Sequence, residues 1–147
     1  MTDAAAESAH AEGVKRVLIV DDDAELRGLL QEFLIAEGYE CVDAENAQEA
    51  LEWLGQVKVD LAGVDLMMPH ISGQDLILKM RQTAEWAAIP ILLLSGYADL
   101  TRHRGLPVDD VQIKPFSLQA FGKKVRALIG SPKAGARPRR LSRSIKP

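Results

Sequence analysis

Four places in this chain carry residues of the types and positions that handle phosphate. Three acids stand together at Asp21, Asp22 and Asp23, a single acid at Asp65, a hydroxyl at Ser95 and a cation at Lys114. Each follows a stretch that reads as a strand, at residues 17–20, 59–64, 89–94 and 108–113. One acid is enough to cap a helix, and Asp23 is placed to do so. Three adjacent acids repel one another and raise each other's pKa unless a cation neutralises them. Carboxylates without His or Cys suit a hard cation such as Mg²⁺, which takes few protein ligands. A carboxylate beside that cation can attack phosphorus. Asp65 is then the candidate nucleophile, and Asp21 and Asp22 are candidate metal ligands. Ser95 is a candidate donor to a phosphoryl oxygen, and Lys114 a point charge beside another. A lone Ser after a strand is an ordinary turn residue and a lone Lys is ordinarily solvated. The joint placement carries the reading.

The elements that must position these residues alternate. Residues 17–20 form a short continuous apolar run, as expected of a strand buried on both faces. A further strand fits residues 39–44. Between the runs, apolar residues recur at helical spacing. Leu26, Leu29, Leu30, Phe33 and Leu34 form one such stripe, closed by Gly38 as a C-cap. Asn46 with Glu49, and Ser72 with Asp75, read as capping boxes, and Ser117 as the cap of the last helix. Five β–α units predict an α/β fold with a parallel sheet and helices on both faces. In such sheets ligands bind at the carboxyl ends of the strands, where all four groups fall.

The folded unit is expected at residues 14–130. Residues 1–13 lack apolar periodicity and read as a disordered N-terminal arm. Residues 131–147 hold six basic residues and no acid, and read as a flexible basic tail. The remaining 12 basic and 21 acidic residues give the rest of the chain a net charge of −9. The tail could touch nucleic acid or an anionic surface. A solvated tail is the simpler reading, because it lacks aromatics and an amphipathic pattern. The lone cysteine, Cys41, excludes an internal disulfide and a thiolate cluster. No run approaches the roughly 18 apolar residues of a membrane span, and the N-terminus lacks the features of a secretory signal. The expected location is cytoplasmic.

The residues VLIVDDD at 17–23, VDLMMPHISG at 64–73, ILLLSG at 91–96 and IKPF at 113–116 together resemble the receiver domain of two-component response regulators, here of a stand-alone, single-domain type. The resemblance implies a flavodoxin-like sheet of strand order 2-1-3-4-5 and a phosphoacceptor at Asp65. It implies a Mg²⁺ site of Asp21, Asp22, Asp65 and the backbone carbonyl of Met67, with Asp22 a direct ligand and Asp21 a more water-mediated one. Ser95 becomes the switch hydroxyl, Lys114 the phosphate-binding cation, and Lys114–Pro115 a cis bond. The donor would be a histidine kinase or a histidine phosphotransfer protein, and the output a protein partner. Such a chain is a phosphoacceptor that assists its own phosphorylation and dephosphorylation rather than a conventional enzyme. Three features depart from the pattern, one of them Tyr97, two residues after Ser95. Val111 stands where the family usually has an aromatic, three residues before the Lys. The segment of Asp99 to Gly105 is short for a full fourth helix, so a shortened helix is expected. Loop ordering is a candidate replacement for the missing aromatic switch.

Two other phosphate chemistries fit less well. A haloacid-dehalogenase-type hydrolase would use Asp21 and Asp23, but needs an acidic motif after the Lys, and no acid follows Asp110. A P-loop hydrolase needs a Gly-rich loop ending in Gly-Lys-Ser/Thr, which is absent.

Overall fold

A computed structural model describes residues 13–68, 72–96 and 104–132. Five parallel strands form the sheet: β1 (Arg16–Val20), β2 (Glu40–Ala44), β3 (Leu61–Asp65), β4 (Ile91–Gly96) and β5 (Asp110–Lys114). Their order is β2-β1-β3-β4-β5, as the resemblance implies. Four helices are described: α1 (Ala24–Glu37), α2 (Ala47–Gln56), α3 (Gly73–Gln82) and α4 (Leu118–Ile129). The shortened helix expected between β4 and β5 falls mainly on residues 97–103, outside the described residues, as do both terminal arms apart from Gly13, Ser131 and Pro132.

The two-residue period of a strand divides the core in two. Leu18, Val20, Val42, Ala44, Ala62, Val64, Ile91 and Leu93 face α2 and α3. Val17, Ile19, Cys41, Leu61, Leu92 and Leu94 face α1 and α4. Phe121 of α4 stacks on Phe116 and meets Phe33 of α1 edge-on, which closes the second layer. The expected caps are present. Asp23 accepts from the N–H groups of Glu25 and Leu26, Asn46 from Glu49, Ser72 from Asp75 and Ser117 from Ala120. Gly38 ends α1 with φ 106°, a left-handed conformation that favours glycine. Glu49 reaches back to the N–H of Glu45.

Three strands start two residues later than the apolar runs suggest. Pro90 has no N–H to give β4, and Ile89 donates to Trp86 in a turn. Val108 donates back to Leu106, which delays β5. Before β3, the Lys58 carbonyl and the Asp60 carboxylate accept from the Arg16 side chain and backbone. The strands also run further forward, so that Asp65 and Lys114 are their last residues and Ser95 the last but one.

Arg16 and Glu40 form a buried ion pair at the edge of the sheet remote from the strand ends that carry the acids, with N–O distances of 2.7 and 2.8 Å. It ties β1 to β2. Removing one partner of a buried pair costs about 3–5 kcal/mol, more than a well-packed apolar replacement of both. Urea unfolding of Glu40→Ala is expected to show a loss of that order, most of it recovered by pairing Arg16→Met with Glu40→Leu. A loss below about 1 kcal/mol for Glu40→Ala would contradict the assignment.

Candidate functional site

The chain leaves β1 for α1 on one face and crosses after β2 to the other, so the crevice between β1 and β3 is the topological switch point. Asp21 and Asp22 follow β1, and Asp65 ends β3. One carboxylate oxygen from each of these three residues lies within 4.8 Å of the others. Asp21 is fully buried, Asp65 is 6% exposed, and Asp22 faces solvent. Strand parity puts Asp21, Asp65 and Lys114 on the α1/α4 side of the sheet. Lys114 Nζ lies 2.9 Å from Asp21 Oδ2 and 3.5 Å from Asp65 Oδ1. The Lys114–Pro115 peptide bond is cis, as expected.

Ser95 has the opposite parity. Its buried hydroxyl donates to the carbonyl of its neighbour Gly96 at 3.2 Å. Met67 is exposed at the rim, and its N–H donates to Asp65 Oδ1 at 3.4 Å. The structure thus brings Asp21, Asp22, Asp65 and Lys114 together and leaves Ser95 bonded locally. Val111 packs against the core layer under α2 and α3. The segment expected to replace the aromatic switch lies outside the described residues.

Two residues that support the site were not among the sequence candidates. Arg27 of α1 donates from Nη1 to the Asp21 carbonyl at 2.8 Å and from Nε to Asp43 at 2.7 Å. The Asp21 carbonyl belongs to the peptide joining Asp21 to Asp22, so Arg27 fixes the plane from which Asp22 projects. Asp21 N–H donates to Ala44, Asp21 Oδ1 accepts from Asp23 N–H, and Asp21 Oδ2 holds Lys114. Every polar group of Asp21 is therefore engaged. A basic residue at the fourth position of a helix that follows an acid cluster is a weak signal, and only the fold shows what Arg27 reaches.

The electrostatics are those of a site short of positive charge. Burial pushes the Asp65 carboxyl up to about 7, and the charge of Asp21 adds to the rise. Lys114 and the Met67 N–H pull it down only in part, and Asp22 raises it further. Burial works to lower the Lys114 pKa, but the hydrogen bond and charge of Asp21, with the charge of Asp65, outweigh it and raise the pKa. Three hard oxygen donors with one lysine match the chemistry of a divalent cation that takes carboxylates.

The folded protein therefore keeps a proton on Asp65 that the unfolded chain has released, between an ordinary 3.8 and about 7. Stability of the metal-free protein falls as pH rises through this window, by up to about 4 kcal/mol above it. Asp65→Asn removes that penalty. At pH 8 without divalent ions the variant is expected to melt several degrees above wild type. At pH 4 the two should nearly coincide. Equal melting temperatures at both pH values would refute the raised pKa.

Residues 17–126 match the response regulator receiver domain family. Response regulator RR06 of Streptococcus pneumoniae serotype 2 is 35% identical over 116 residues, 77% of this chain and 52% of the relative. The phosphate regulon transcriptional regulatory protein PhoB of Pseudomonas aeruginosa is 35% identical over 118 residues, 78% and 52%. The chain thus spans about half the length of these relatives. A response regulator receiver protein from Pseudomonas putida superposes with a TM-score of 0.73 at 33% identity, covering 80% of this chain and 99% of that one. Chemotaxis protein CheY4 of Vibrio cholerae, at 24% identity and a TM-score of 0.72 over 78% and 98% of the two chains, shares the fold. With the sheet order, the acid cluster and the lysine in place, the match over residues 17–126 settles the family: this chain belongs to the receiver domains of two-component response regulators.

Proposed function

We propose that the chain is a phosphoacceptor, taking a phosphoryl group on Asp65 from the phosphohistidine of a sensor kinase or a histidine phosphotransfer protein in the cytoplasm. One observation carries the reading: Asp21, Asp22 and Asp65 converge within 4.8 Å while Lys114 bridges Asp21 and Asp65. Asp21, Asp22, Asp65 and the backbone carbonyl of Met67 would hold Mg²⁺. When bound, Mg²⁺ neutralises the carboxylates and the phosphoryl oxygens and aligns the transfer. An oxygen of ionised Asp65 attacks phosphorus, the bond from phosphorus to the donor imidazole breaks, and that nitrogen leaves with its electron pair. Lys114 supplies a fixed positive charge beside the acceptor. Ser95 would turn from the Gly96 carbonyl to donate to a phosphoryl oxygen.

Regular elements run from Arg16 to Ile129, which supports a receiver unit of residues 14–130 between an N-terminal arm (1–13) and a basic tail (131–147). No helix among the described residues is long and apolar enough to cross a membrane. The output in this reading passes through a protein partner.

Incubation with acetyl phosphate and Mg²⁺, followed by intact mass, tests the reading. Wild type is expected to gain one phosphate, and Asp65→Asn none. A chain that takes no phosphate and binds no Mg²⁺ would instead be a receiver that binds partners without phosphorylation. Phosphate on Asp65→Asn would move the acceptor elsewhere.

A further inference from the structure

We propose that Gly73, outside the acid cluster, is a positioning residue that sets where Asp65 stands relative to Asp21 and Asp22. The inference rests on the Mg²⁺ site of the proposed function. A Cβ on Gly73 would lie 2.1 Å from the Asp65 carbonyl oxygen, 2.9 Å from Leu66 Cα and 3.0 Å from the Asp65 carbonyl carbon. All three neighbours are backbone atoms, so no side chain can swing aside to make room. Gly73 is not among the glycines with positive φ. The need for glycine here is space, not conformation.

Other glycines set the contrast. Gly28 and Gly55 open onto nothing within 4 Å. Gly38 and Gly122 meet side chains, Pro132 and the ring of Phe33. Gly73 instead presses the first turn of α3 directly onto the end of β3. Its N–H donates to the Leu66 carbonyl at 3.1 Å, and Leu66 N–H donates to Leu94 at 3.0 Å. The end of β3 is therefore stitched to β4 on one side and to α3 on the other. The same Gly73–Leu66 bond closes the loop that starts at Met67, whose carbonyl completes the proposed ligand set.

Asp21 follows β1, and its bonds to Arg27, Ala44 and Asp23 do not run through the backbone of Asp65. A methyl group at position 73 must push the Asp65 backbone away or lift α3, and either shifts Asp65 against a fixed Asp21. Mg²⁺ demands near-octahedral oxygens at about 2.0–2.1 Å, so a displacement well under 1 Å weakens the site. Loss of a support behind a ligand typically lowers metal affinity about 10–100-fold.

Calorimetric Mg²⁺ titration of wild type, Gly73→Ala and Val125→Ala tests this, with thermal unfolding of each. Val125 is a fully buried residue of α4, two turns past its N-terminus and across the sheet from α3, and reports on lost stability. Gly73→Ala is expected to bind Mg²⁺ about tenfold or more weakly. Val125→Ala should melt lower with an unchanged Kd. A folded Gly73→Ala with the wild-type Kd overturns the proposal, as does an equal loss in Val125→Ala. Where Gly73→Ala does not fold, two cap variants decide. Ser72→Ala loosens the turn seated on Asp65 and is expected to weaken Mg²⁺ about two- to fivefold, while Ser117→Ala, the same loss at α4, leaves it unchanged. Equal Kd values for both cap variants overturn it. Wild type that binds no Mg²⁺ overturns the metal reading itself, and this inference with it.

Discussion

Three carboxylates crowded at the β1/β3 crevice, two of them sharing one lysine, are the constraint on which the rest of this molecule depends. Left to themselves, like charges this close separate or take up protons. The fold prevents separation by engaging every polar group of Asp21, through Ala44, Arg27, Asp23 and Lys114. It leaves Asp65 with a carboxyl raised to about 7, one proton away from ionisation under ordinary conditions. A protein selected for stability alone would place an amide there. The strain is confined to strand ends, while the central strands beneath are largely apolar and buried on both faces, so the core carries the penalty without adjusting to it.

Much of this was legible in the sequence because strand period and strand end are both written there. Short strand-like stretches located the strands, and the residue following four of them was the residue with chemistry. The same period explains why Asp21, Asp65 and Lys114 share a side: counting by twos from Val17, Leu61 and Gln112 arrives at all three. Where the pattern misled, hydrogen bonding was the reason. Ile89 and Val108 are apolar, yet one donates into a turn and the other back to Leu106, so neither joins a ladder. Strand order is not written in hydrophobicity at all. It came from the resemblance, and the structure agrees.

What stayed hidden was the set of contacts between distant segments. Arg27 reads as a polar residue on an amphipathic helix, and Asp43 as a break in a strand. Only the packing of α1 against the ends of β1 and β2 makes them a clamp on the Asp21–Asp22 peptide. Gly73 ends the stretch VDLMMPHISG, next to a helix cap, where glycine is ordinary. Its reason is a backbone-to-backbone approach of α3 to Asp65, and closeness of that kind leaves no compositional trace.

The two sides of the sheet also differ in how firmly they hold the site. On the α1/α4 side, Asp21 and Lys114 are bonded to each other, and the Phe116–Phe121–Phe33 ladder packs directly beyond Pro115. On the α2/α3 side, Ser95 is held by a long 3.2 Å bond to its own neighbour, and Val111 offers a small aliphatic surface in place of a ring. An O–H···O bond at that length lies beyond the usual 2.5–3.0 Å range, so it yields readily to a charged acceptor. Under the proposed function, a phosphoryl group on Asp65 would therefore meet a rigid wall on one side and a movable hydroxyl on the other. The weaker hold is at Ser95, at the end of β4.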